Sequence, residues 1–108
     1  MQTVHQLISE TQLFLDPDLT LNRMARKAGI PAKQLSAVIN RCQGENVSKY
    51  INRFRIEHAC TLLATGQPVT STAFASGFNT KSNFNREFQR IRALSPSRWQ
   101  AQNKQATS

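Results

Sequence analysis

Residues 73–99, AFASGFNTKSNFNREFQRIRALSPSRW, repeat the pattern of residues 25–50, ARKAGIPAKQLSAVINRCQGENVSKY. Ala25 and Gly29 match Ala73 and Gly77 at an offset of 48 residues. The second turn carries one extra residue, and the offset becomes 49. Leu35 then matches Phe84, Ile39 matches Phe88, Arg41 matches Arg90 and Cys42 matches Ile91. Ser48, Lys49 and Tyr50 match Ser97, Arg98 and Trp99. Each copy reads as a short helix, a glycine turn and a longer helix, the signature of a helix-turn-helix. One pair fails: Val38 stands opposite Glu87. Either Val38 is half-buried or the two environments differ.

Helices on either side of the repeat follow from apolar spacing. Val4, Leu7, Ile8, Phe14 and Leu15 predict a first helix over about 3–15, stopped by Asp16-Pro17-Asp18. Thr20 caps a second helix from Leu21 to Ala28, ended by Gly29. Pro31 opens a third, which runs to Gly44 with Leu35, Val38, Ile39 and Cys42 as its inner stripe. Asn46 caps a long fourth helix over about 47–64, with Arg53 and Glu57 spaced to pair on its outside. Ile56 falls at the edge of its apolar face. A fifth helix runs over about 71–76, and Thr80 caps a sixth over 81–92. Ser95-Pro96 starts a short seventh containing Trp99. The expected fold is all-α: about seven helices, in two homeodomain-like helix-turn-helix lobes joined by a long linker helix. One domain is expected over 3–102, with helix-turn-helix segments at about 21–43 and 70–92 and a polar tail at 103–108.

The 108 residues carry 14 Lys and Arg against 6 Asp and Glu, a net charge of +8. The three acids Glu10, Asp16 and Asp18 stand in the first 20 residues, which hold no Lys or Arg. The rest of the chain is therefore more basic than the total shows, and a polyanion partner follows. No apolar run is long enough to span a bilayer, and there is no secretory leader pattern. Cys42, Cys60, His5 and His58 match no metal or catalytic spacing. No cofactor and no metal are expected. With no nucleophile–base pair, phosphate loop or carboxylate pair, an enzyme is not expected either. A cytoplasmic, nucleoid-associated location fits unpaired cysteines and a basic surface.

An α-helix fits the major groove, and successive groove faces on one side of a duplex lie about 34 Å apart. An 18-residue linker helix rises about 27 Å, a suitable spacer. The apolar stripes leave Lys33, Ser36, Ala37 and Asn40 facing outward on the third helix. On the sixth they leave Lys81, Ser82, Asn85, Arg86 and Gln89. Arg86 suits guanine, Asn85 and Gln89 suit adenine, and Lys33 or Lys81 suits guanine or phosphate. Arg86 could instead be structural, paired with a nearby acid. Thr20, Thr80 and Ser95, at helix N-termini, suit phosphate, as do Arg41, Arg53, Arg90 and Arg98. Cys42 is expected in the core, Cys60 half-buried, and Trp99 packed between the sixth and seventh helices.

These residues resemble the DNA-binding domain of AraC/XylS-type bacterial transcription regulators. Residues 73–99 are similar to that family's closing signature. LTLNRMARKAGIPAKQLSAVIN (19–40) is similar to its first helix-turn-helix, and INRFRIEHACTLL (51–63) to its linker helix. The resemblance covers about residues 5–100. Arg23, Thr72, Ile91 and Ala93 depart from it, standing where an acid, a branched aliphatic, an aromatic and a glycine are usual. It implies base contacts on the exposed positions just named and sequence-specific binding of double-stranded DNA. It implies activation more often than repression, with RNA polymerase as a further partner and an effector or dimerisation domain elsewhere in the protein. The chain reads as an excised C-terminal domain rather than a stand-alone regulator. A non-specific polyanion or RNA binder would carry exposed stacking aromatics, and here the Phe residues sit at core spacings. A protein-interaction module would carry acidic or apolar recognition faces, and here they are polar and basic.

Overall fold

The computed structural model describes residues 2–103, and they form seven α-helices and one 3-10 turn. The helices are α1 (Gln2–Thr11), α2 (Leu21–Ala28), α3 (Ala32–Gln43), α4 (Val47–Ala64), α5 (Val69–Ala75), α6 (Lys81–Arg92) and α7 (Pro96–Asn103). The chain divides into two compact units, residues 1–54 and 55–108, with the boundary inside α4. Each has its own apolar cluster. The all-α expectation holds. Asn103 extends α7 into the expected tail; the rest of that tail lies outside the described residues.

In the first unit, Val4 and Ile8 of α1 and Met24 and Ala25 of α2 are buried with Leu35 and Ile39 of α3 and Tyr50, Ile51 and Phe54 of α4. The expected first helix does not run to residue 15. It breaks at Gln12, which takes a left-handed conformation (φ 54°), and Leu13–Leu15 form the 3-10 turn. Six residues along a straight α-helix turn Phe14 about a third of a revolution away from Ile8. The break brings Phe14 into the core, stacked on Phe54 at 5.7 Å between ring centroids. Tyr50 meets Phe54 edge-on at 5.2 Å. Its hydroxyl is buried with no hydrogen-bond partner among the described residues, and burial pushes its pKa up to about 12.

Capping follows the sequence closely. The Thr20 hydroxyl accepts the Arg23 N–H at 3.2 Å and the Asn46 side-chain Oδ1 accepts the Lys49 N–H at 2.8 Å. Gly29 and Gly44 end α2 and α3 at φ of 73° and 67°, a region that strains any residue with a Cβ. Arg23, which replaces the usual acid of a capping box, reaches back to Asp16 at 2.9 Å. Two expectations are corrected here. Cys42 is exposed: residues 40–44 all are, so the apolar stripe of α3 outruns the core it faces. Arg53 pairs with Glu45 through two bonds of 2.8 and 3.1 Å rather than with Glu57.

In the second unit, Ile56, Ala59, Cys60 and Leu63 of α4 are buried with Ala73, Phe78, Phe84 and Phe88. Ile56 is fully buried, not at an edge, because the second half of α4 packs on a different core from its first half. Cys60 is buried too, and burial raises its thiol pKa. The helix α5 starts two residues earlier than expected, after Pro68, and its C-cap is Ser76. Thr72 is buried where an aliphatic is usual, and its hydroxyl donates to the Pro68 carbonyl at 2.7 Å. The Val38–Glu87 mismatch resolves both ways: Val38 is half-buried, while Glu87 is buried and forks onto Arg90 at 2.9 and 3.0 Å. Trp99 packs edge-on to Phe88 at 6.0 Å, between α6 and α7 as expected.

Ala93 ends α6 at φ 64°, the left-handed position where glycine is usual. Left-handed backbone costs an L-residue roughly 1–2 kcal/mol. Ala93→Gly is therefore expected to stabilise the chain by about 1 kcal/mol after its unfolded-state entropy is subtracted. Thermal unfolding checks this, and a melting midpoint that stays level or falls refutes it.

Candidate nucleic-acid interface

In the first unit, Leu35 and Ile39 are fully buried and fix the roll of α3. Its opposite side presents Lys33, Ala37 and Asn40 to solvent, with Ser36 half-buried beside them. Arg41 is exposed in the last turn. Thr20, at the start of α2, uses its oxygen as the cap acceptor, which leaves its own O–H as a donor. Unpaired N–H groups of that first turn lie beside it, a setting suited to a phosphate oxygen. An open depression of about 280 Å³ beside α2 is lined by Leu13, Asp16, Leu19, Arg23, Arg26 and Lys27. The Arg23–Asp16 pair neutralises part of it, and Arg26 and Lys27 add to the cationic surface.

In the second unit, Phe84 and Phe88 play the part of Leu35 and Ile39. Lys81, Ser82, Asn85, Arg86 and Gln89 are all exposed on α6. Thr80 caps α6 through the Asn83 N–H at 3.1 Å, and Ser95 caps α7 through the Arg98 N–H at 3.3 Å. Arg98 is exposed. Every residue singled out from the sequence thus lies at a solvent-accessible position on its expected element, with Ser36 and Ser95 partly covered.

The cations are not equivalent. Arg90 and Arg53 each have their fork on a carboxylate, Glu87 and Glu45, and both acids are nearly shielded from water. A partly buried, two-bonded pair holds its arginine more firmly than a single surface contact does. Among the described residues no acid pairs with Arg86; its Nη2 donates to Asn83 Oδ1 at 2.8 Å. The sequence did not single out Asn83, although its i, i+3 spacing from Arg86 was the signal for this contact. Arg55 was missed as well: it is buried, with its guanidinium 5.8 Å from the Phe78 ring centroid. Phe74 is an exception to the inward aromatics, 51% exposed on α5.

Among the described residues, no group of three or more His, Cys, Asp or Glu is placed to hold a metal ion. Burial lowers the pKa of His58, which favours neutral imidazole. No helix there is long and apolar enough to cross a membrane.

A family model described as a helix-turn-helix domain matches residues 24–102. An uncharacterised HTH-type transcriptional regulator of Staphylococcus aureus is 28% identical over 97 residues, covering 89% of this chain. The chain spans 13% of the length of that relative. The C-terminal domain of AraT, a response regulator from Geobacillus stearothermophilus, has the same fold. Its TM-score is 0.82 at 23% identity, over 99% of this chain and 90% of that one. A transcriptional regulator of Chromobacterium violaceum, described as AraC-type and DNA-binding, matches at a TM-score of 0.74 and 25% identity. That match covers 81% of this chain and 79% of the other. A helix-turn-helix match over most of the chain, two glycine-turn units and AraC-type structural neighbours agree: the chain belongs to the AraC/XylS-type helix-turn-helix family, as a DNA-binding domain of transcription regulators.

Proposed function

We propose that residues 3–102 form a domain that reads double-stranded DNA sequence-specifically, with α3 and α6 each entering a major-groove segment of one asymmetric site. The observation that carries this reading is the outer face of α6. Lys81, Ser82, Asn85, Arg86 and Gln89 stand exposed above a sealed aromatic core, so the base-reading groups sit on a rigid support. On α3, Lys33, Ser36, Ala37 and Asn40 offer fewer reading groups and one methyl contact. Thr20, Thr80, Ser95, Arg41, Arg53, Arg90 and Arg98 set the register on the phosphates. The domain acts as an activator, with RNA polymerase at the promoter as its partner, and it works within a longer protein that carries an effector or dimerisation domain.

Selection of bound duplexes from a random DNA pool tests the reading. The expected product is an asymmetric motif of two blocks, centred about 10–10.5 base pairs apart, with the richer block under α6. A promoter bearing the selected site is expected to yield more transcript when the protein is present. A pool that stays unenriched refutes sequence-specific reading, and a fall in transcript refutes activation.

A further inference from the structure

We infer that Asn83 is a positioning residue that sets the base preference of Arg86 by holding its guanidinium from within α6. The inference rests on the reading that α6 faces DNA. Two i, i+3 steps carry it. Thr80 accepts the backbone N–H of Asn83 at 3.1 Å, which fixes Asn83 at the third helical position. The Asn83 side-chain Oδ1 then accepts Arg86 Nη2 at 2.8 Å. Asn83 is half-buried and Arg86 exposed, so the amide forms a shoulder beside a projecting cation.

The donor arithmetic is favourable. A guanidinium has five N–H donors, and this contact uses one of them. Each terminal nitrogen keeps a hydrogen, so a two-bonded contact to the O6 and N7 of guanine stays open. An unrestrained arginine side chain carries about 2 kcal/mol of rotamer entropy, much of which a docked contact must suppress. An acceptor supplied by the same helix lowers that cost before DNA arrives, which is preorganisation.

The repeat supplies an internal contrast. At the offset of 49, Thr80, Asn83 and Arg86 correspond to Pro31, Gln34 and Ala37. Pro31 has no capping side-chain bond to α3, and Ala37 has nothing to be held. The relay exists in the copy whose helix carries an arginine reader and is absent from the copy that lacks one.

A double-mutant cycle on the 108-residue chain tests this, using the selected duplex and a scrambled one. Asn83→Ala is expected to lower the ratio of selected to scrambled affinity by roughly three- to thirtyfold, which lies within the range of coupling between groups in contact. Scrambled-duplex affinity, salt slope and melting midpoint should stay level. Asn83→Asp keeps the acceptor and should keep the preferred base, with affinity lowered alike on both duplexes by its charge. In an Arg86→Ala background, Asn83→Ala should cost nothing further. If Arg86→Ala leaves the ratio intact, the DNA-facing reading of α6 fails. If Arg86→Ala lowers it while Asn83→Ala is silent, or costs as much without Arg86 as with it, the positioning role alone fails.

Discussion

Phe88→Ala is expected to remove about 3–5 kcal/mol of stability, the usual cost of emptying a buried aromatic site. Phe88 is fully buried, with ring centroids 5.6 Å from Phe84 and 6.0 Å from Trp99. Loss of its ring removes the edge-on contact that Phe88 of α6 makes with Trp99 of α7. A unit of some fifty residues has a total stability of roughly 3–8 kcal/mol at the usual value per residue. The second unit is therefore expected to be largely unfolded in this variant near 25 °C, and binding to the selected duplex should fall to the level of a scrambled one. Thermal unfolding by circular dichroism and duplex titration read both effects. A midpoint within a few degrees of the parent chain refutes the claim that this ring supports α6.

Raising salt from 50 to 200 mM is expected to weaken duplex binding by about 10³–10⁵-fold if six to ten phosphates are neutralised. The slope can be dissected. Arg41 and Arg98 are exposed and have no carboxylate partner among the described residues. Arg41→Gln and Arg98→Gln should each reduce the slope by about one. Arg53 and Arg90 must leave, or share, a two-bonded carboxylate to reach a phosphate. The Glu remains fixed nearby and offsets the cation's charge, so Arg53→Gln and Arg90→Gln should change the slope by clearly less. Equal slopes for all four variants would refute the distinction between held and free arginines, and a flat parent curve would refute phosphate anchoring altogether.

Local chemistry made most of the architecture legible. Thr20, Asn46, Thr80 and Ser95 cap the helices that follow them, and Gly29 and Gly44 stop the helices that precede them, because these signals act within one turn of chain. The pairs Leu35–Ile39 and Phe84–Phe88 were legible because a single face of each helix is buried. Errors arose where burial depends on distant partners. Cys42 and Ile56 were misjudged because periodicity gives a face and not the length over which that face is covered. Gln12 carries no turn chemistry of its own, and its left-handed backbone follows from the pull of Phe14 into the core. Glu45 is eight residues from Arg53 and outside the helix, so helical pairing rules favoured Glu57. At the interface, the exposed faces were legible from the same stripes. The internal bonds that separate held from free cations were not, since each depends on a rotamer.

The two apolar clusters share no residue. Substitutions whose sites lie apart and have no common partner add in their effects. If α3 and α6 each read one block of the proposed site, changes on their outer faces should then combine as independent choices. A lineage carrying this chain could alter half of its recognition sequence while the other half stays under the same selection. Paralogues could diverge in target one block at a time, passing through intermediates that remain folded and still hold part of the original site.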